Sequence, residues 1–194
     1  MKTSDLNKIT MNLHYAMKVL GANDLAGHTL RPRYAEYYVA HQLSKNGHRP
    51  KMLGERYAKS ADIYLEHTEK RIEVKSGRHE DGESYASFAD GRQITDKKLD
   101  YCVFVIFDEE TEGKVREVLA FSRKQLLTLT TTTRRGYGRH KNNQCLLARV
   151  TDYKDYAEWM EQNNFPIPHI EKHLNKHPAK YRKQWKTLAK NGTL

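Results

Sequence analysis

Cysteine is nearly absent from this chain, with two residues, Cys102 and Cys145, in 194. Two thiols do not make a disulfide framework. Each lies within or beside apolar sequence, so both read as small buried hydrophobes in a reducing compartment. Long apolar runs are missing as well, since no stretch approaches the ~18 residues that a membrane span needs. The start, Met1-Lys2-Thr3-Ser4-Asp5, has no apolar secretion core. A soluble cytoplasmic protein is expected, with no membrane partner. Internal repeats are lacking, and the only low-complexity stretch is Thr130-Thr131-Thr132-Thr133.

Acidic residues are missing from two segments. Residues 128–149 carry Arg134, Arg135, Arg139, Lys141 and Arg149 without one acid, and residues 172–190 carry seven lysines and arginines without one. Removing those twelve from the 34 basic residues leaves 22 against 24 acidic ones, so the rest of the chain is near neutral. The net charge of +10 therefore sits in two patches, the footprint of a polyanion-binding protein. The length suits one domain spanning residues 1–194, with a substantial core.

What is present centres on Ile72-Glu73-Val74-Lys75-Ser76-Gly77. Side chains alternate along a strand, so Glu73 and Lys75 share one face while Ile72 and Val74 share the other. Ala61-Asp62-Ile63-Tyr64-Leu65 repeats the pattern with Asp62 on the polar side, and the polar turn 66–70 makes a hairpin of the two. That hairpin brings Asp62, Glu73 and Lys75 together. Two carboxylates and an amine at one point are a metal site with a base beside it.

Elsewhere the pattern alternates helix and strand. Residues 4–20 form an amphipathic helix capped by Ser4 or Asp5, with Leu6, Ile9, Leu13, Met17 and Leu20 as its stripe. A second helix opens at Arg31-Pro32, runs from about Arg33 to Lys45 and stops at Asn46-Gly47. On it Glu36 shares a face with Val39, Ala40 and Leu43. Alone, such a glutamate more often answers the helix dipole; ahead of Asp62 and Glu73 it is a third candidate carboxylate. Residues 76–91 read as a loop. Tyr101–Phe107 is apolar throughout, as a central strand covered on both faces would be. Val115–Phe121 is its partner, Ser122 caps a helix through Leu129, and Cys145–Val150 is a further strand. Helices are expected at 152–163, 169–176 and 178–190. The fold class is α/β.

This order of elements resembles the PD-(D/E)XK nuclease superfamily, the restriction-endonuclease-like fold, over roughly residues 30–125. Glu36, Asp62, Glu73 and Lys75 stand at the family's helix acid, hairpin Asp and (Asp/Glu)-X-Lys positions. Ala61 replaces the proline that names the motif. The resemblance implies a central mixed sheet flanked by helices; the basic, helical C-terminal region (126–194) that follows is read from the sequence itself. The resemblance also implies a helix after the Lys strand, on which Gln93 would orient water or a carboxylate, and a 5′-phosphate product.

Phosphodiester chemistry assigns the roles. Asp62, Glu73 and the Val74 backbone carbonyl would hold Mg²⁺, with Glu36 reaching it through water or serving a second ion, and Mn²⁺ would substitute. Lys75, its ammonium disfavoured beside the cation, would orient or deprotonate the attacking water. Expected DNA contacts are Arg31, Arg33, Ser76, Arg78, Arg134, Arg135, Tyr137, Arg139, Lys141, Lys180, Arg182 and Lys183, which can grip phosphates and guanine edges. Residues 84–88 could approach the same backbone. His169, His173 and His177 are spaced to line one helix face, but Pro178 and the lack of a cysteine or acid partner favour a phosphate-facing or solvated role over zinc. A stand-alone chain of this size suits a homodimeric type II restriction endonuclease acting on double-stranded DNA, paired with a cognate methyltransferase and needing no organic cofactor. A junction resolvase of the same fold and a non-catalytic DNA-binding module are the alternatives.

Overall fold

Two helices lead the chain in the computed structural model, α1 (Thr3–Leu20) and α2 (Arg31–Lys45). The structure describes residues 1–20, 30–53, 61–80, 83–88, 99–108, 113–129, 131–132, 144–149 and 178–194. Helix α1 starts one residue before the expected caps. Asp5 accepts a hydrogen bond from the Lys2 backbone N–H at 3.3 Å, satisfying a donor at the helix entrance. Proline opens α2 as expected, and Gly47 ends it at φ +86°, a left-handed conformation that glycine takes without strain.

The strands that follow are β1 (Pro50–Met52), β2 (Ile63–Leu65), β3 (Lys70–Glu80), β4 (Glu83–Phe88), β5 (Tyr101–Asp108) and β6 (Val115–Ser122). A mixed five-strand path runs β1-β2-β3-β5-β6. The first three are antiparallel, β5 is parallel to β3, and β6 is antiparallel to β5. Beyond β6 come α3 (Arg123–Leu129), β7 (Thr131–Thr132), β8 (Gln144–Arg149) and α4 (Pro178–Asn191). At its far end β3 pairs with β4, which continues through β8 to β7.

Residues 76–91 are therefore not all loop, as the glycine- and serine-rich composition implied. Strand β3 continues to Glu80 and β4 occupies Glu83–Phe88, in a register that leaves two residues, Asp81 and Gly82, between the paired Glu80 and Glu83. An Asp-Gly pair between alternating segments is a strong short-range hairpin signal, and it outweighs composition here. Within the acid-free segment 128–149, Thr131–Thr132 forms a short strand against Cys145 and Gln144. The expected helices at 152–163 and 169–176, with His169, His173 and His177, lie outside the described residues.

Strand β5 is buried on both faces as its unbroken apolar sequence requires. Val103, Val105 and Phe107 join Ile63, Leu65, Ile72 and Val74 beneath Tyr34, Val39 and Leu43 of α2 and Leu6 and Met17 of α1. Cys102, Phe104 and Ile106 are buried on the opposite face, where Phe104 meets Phe121 edge-on at 5.2 Å. Helix α4 docks on β6, setting Tyr181 at 4.4 Å from the Phe121 ring and pairing Gln184 with Gln125 at 3.2 Å. Gln125 also completes the expected start of α3. Its side chain accepts from the Ser122 N–H at 2.9 Å, and the Ser122 hydroxyl accepts from the Gln125 N–H at 3.3 Å. Among the described residues no helix is long and apolar enough to cross a membrane.

Candidate active site

The site forms where β2 leaves β3. The two strands pair from Leu65↔Lys70 to Ile63↔Ile72. One step further the Asp62 N–H still donates to the Ile72 carbonyl at 3.0 Å, while the Asp62 carbonyl accepts from Leu53 N–H at 2.8 Å. With its main chain held from both sides, Asp62 turns its side chain along β3 and accepts the Val74 N–H at 2.7 Å. A carboxylate has replaced the ladder partner that β2 no longer supplies.

Glu73 and Lys75 lie on the face of β3 opposite Ile72 and Val74, in register with Cys102 and Phe104 of β5. Sequence alternation placed them on the polar side, but that side is covered. Glu73 is only 3% exposed, and Lys75 donates from Nζ to Glu73 Oε1. From α2 comes Glu36, 9% exposed, accepting from Arg33 Nη1 at 2.8 Å.

These groups perturb one another's titration, which marks a single electrostatic cluster. Burial pushes the Asp62 carboxyl up to about 6, the Val74 N–H opposes that shift, and the Glu36 charge adds to it. Glu36 is likewise raised, by burial first, with Arg33 and Lys75 pulling down and Glu73 pushing up. For Lys75 burial acts downward, yet the Glu73 charge and hydrogen bond, with help from Cys102 and Asp62, leave the ammonium favoured over its ordinary state. A disfavoured ammonium was expected beside a cation; facing Glu73 instead, Lys75 keeps its proton. Cys102, opposite Glu73 on β5, has its thiol raised by burial and then by that carboxylate.

Glu36, Asp62, Glu73 and Lys75 are thus brought together. Among the described residues no three of His, Cys, Asp and Glu converge as a formed metal group; Asp62 turns one oxygen to Val74 and Glu73 one to Lys75. The donor chemistry still suits a hard divalent ion. Asp62, Glu73 and the Val74 carbonyl offer only oxygen, and the buried, mutually repelling carboxylates would be relieved by positive charge.

Other expected site residues divide by location. Ser76 is partly exposed one step beyond Lys75, while Arg78 lies in β3 near the turn to β4. Arg33 is held by Glu36, and Arg31 buries its Nε without a hydrogen-bond partner among the described residues. On α4, Lys180 and Lys183 are exposed, but Arg182 donates from Nε to Glu117 at 2.6 Å rather than standing open to phosphate. Gln93, Arg134, Arg135, Tyr137, Arg139 and Lys141 lie outside the described residues. Two features of the cluster were missed in the sequence: the pairing of Arg33 with Glu36 and the place of Cys102. The pairing was signalled by its three-residue spacing on a helix. The place of Cys102 was not signalled, because it depends on the register between β3 and β5.

No known family model matches this chain, and no curated protein sequence is significantly similar to it.

Proposed function

We propose that this chain is a Mg²⁺-dependent endodeoxyribonuclease of the PD-(D/E)XK kind, a homodimeric type II restriction endonuclease that cuts double-stranded DNA and leaves 5′-phosphates. One observation carries the reading. The Asp62 carboxylate sits on the Val74 N–H where two strands part, beside a buried Glu73 joined to Lys75. The mixed sheet, with β5 parallel to β3, and the buried Glu36 on α2 support it.

In this reading Asp62, Glu73 and the Val74 carbonyl hold the ion. When bound, Mg²⁺ supplies charge neutralisation at the phosphate and lowers the pKa of coordinated water, and Mn²⁺ can substitute. Lys75 stands where an attacking water must lose its proton. Glu73 now favours the lysine's ammonium form, so drawing that carboxylate's charge elsewhere frees the amine to accept a proton. Arg33 holds Glu36 toward the cluster by their 2.8 Å contact. Gln93 would orient the water, and a cognate methyltransferase would protect host sites.

A plasmid digest with Mg²⁺ tests this directly. Wild type is expected to give discrete fragments with 5′-phosphate ends. Lys75→Ala should lose about 10²–10⁴-fold in rate while still binding duplex in Ca²⁺. Undiminished cutting by that variant would sink the assignment, and cutting confined to four-way junctions would turn it to a resolvase.

A further inference from the structure

Three elements meet at a pair of histidines, at the opposite end of the β2–β3 hairpin from Asp62. His48 stands just past α2, His67 lies in the turn between β2 and β3, and the end of α4 lies against both. His48 Nε2 is 2.9 Å from the Ala189 carbonyl oxygen and 3.1 Å from that of Lys190. Carbonyl oxygens only accept, so this nitrogen carries a proton whatever the charge of the ring. The other nitrogen of His48, Nδ1, faces His67 Nε2 at 2.9 Å. Gly192 packs beside the facing atoms, where a Cβ would lie 3.0 Å from His67 Nε2 and 3.3 Å from His48 Nδ1.

Such a contact admits a fixed number of protons. A hydrogen bond between Nδ1 of one ring and Nε2 of the other needs one of those two nitrogens bare. With His48 neutral, Nδ1 is bare and His67 donates. With His48 charged, Nδ1 donates and His67 Nε2 must be bare. Either way the four ring nitrogens hold three protons at most. A fourth sets the N–H groups of two cations head-on across 2.9 Å, and the bond becomes a repulsion. The negative end of α4 suits one added positive charge here. Lys45 and Arg49 flank His48, Glu66 and Glu69 flank His67, and α4 carries Lys186 and Lys190, all exposed; Lys70 is held by Asp100 at 3.0 Å. These charges influence the pH at which protons bind, but not the number that the contact holds.

We propose that the His48–His67 contact is a proton-sensitive latch, which holds the β2–β3 turn to the ends of α2 and α4 at neutral pH and opens in acid when the fourth proton binds. His67 is exposed, so it is the ring that turns away, while His48 keeps its bonds to α4. The opened form binds one proton more than the latched form. The latch's stabilisation is therefore lost as pH falls through the range in which histidine titrates. His67→Gln tests this, because its amide can donate or accept and so meets His48 Nδ1 in either charge state. Melting temperatures of wild type and His67→Gln are compared at about pH 7.5 and about pH 4.5, on either side of that range. On acidification wild type should lose roughly 2–4 °C more than the variant, the effect of one hydrogen bond in a chain of this size. Imidazole ¹⁵N spectra, with signals identified by His48→Gln and His67→Gln, should show His48 Nε2 protonated at both pH values and both rings fully protonated at the lower. Equal losses for wild type and variant overturn the proposal, as does a His48 Nε2 without its proton at the higher pH. Neither measurement involves DNA, so the latch stands or falls separately from the nuclease reading.

Discussion

Asp62 is held in a form that works against the folded chain. Burial moves its carboxyl from an ordinary 3.8 up to about 6, so the folded state binds this proton more tightly than the unfolded chain does. The stabilisation from that proton is fully present below about pH 3.8 and is lost as pH rises through about 6. Near neutral pH, without a cation, the ionised group is a net liability. Asp62→Asn keeps an oxygen for the Val74 N–H and removes the charge. It should therefore raise the metal-free melting temperature at about pH 7.5 by several degrees, on the order of 1–2 kcal/mol, with the gain shrinking toward about pH 4. The same variant should lose Mg²⁺-dependent cleavage. Thermal melts across pH check the first claim, and a variant less stable than wild type at neutral pH would refute it. On the proposed reading, the instability that this residue brings and an affinity for the ion would share one cause.

The end of α4 shows how a helix far along the chain is tied to the hairpin that bears the site. His48, just past α2, places Nε2 at 2.9 Å from the Ala189 carbonyl and 3.1 Å from that of Lys190, two of the acceptors a helix C-terminus leaves unsatisfied. Its other nitrogen meets His67 Nε2, in the β2–β3 turn, at 2.9 Å. Gly192 closes the arrangement at φ +72°, and a Cβ there would lie 3.0 Å from the His67 ring nitrogen. Gly192→Ala is expected to destabilise by roughly 1–2 kcal/mol, from backbone strain and the crowded ring, readable as a lowered melting temperature. An unchanged melt would mean the helix end is not held there. Elements of this kind differ in how far the sequence discloses them. Helices α1 and α2, strand β5 and the Ser122 cap were legible because periodicity, proline and capping chemistry are local. The run from Ser76 to Phe88 was not, because its polar strands derive their order from pairing with β5 and β8 rather than from an apolar pattern. Within the site, Asp62, Glu73 and Lys75 were legible from alternation. The burial of Glu73 was not, since it follows from the β5 residues laid alongside.

Across the whole molecule the excess of positive charge is the property most open to measurement. Helix α4 turns Tyr181, Leu188 and Ala189 inward and leaves Lys180, Lys183, Lys186 and Lys190 exposed, with no acid on the helix to answer them. Arg182 is different, because its 2.6 Å contact with Glu117 commits its charge to the docking of α4 on β6. Binding that neutralises phosphates releases counterions, so the logarithm of affinity falls with the logarithm of salt by about 0.9 for each contact. If the exposed lysines face the duplex, replacing Lys183 and Lys186 together by Gln should weaken binding and flatten that slope by roughly one to two. Arg182→Gln should leave the slope nearly unchanged and instead lower the melting temperature modestly, since a half-exposed ion pair contributes about 0–1 kcal/mol. Fluorescence anisotropy with a labelled duplex in Ca²⁺, over roughly 50 to 300 mM salt, separates the two cases. A slope that ignores the lysine pair but falls with Arg182→Gln would show that the helix presents its other side to DNA. The basic face of α4 would then have to be explained without phosphate.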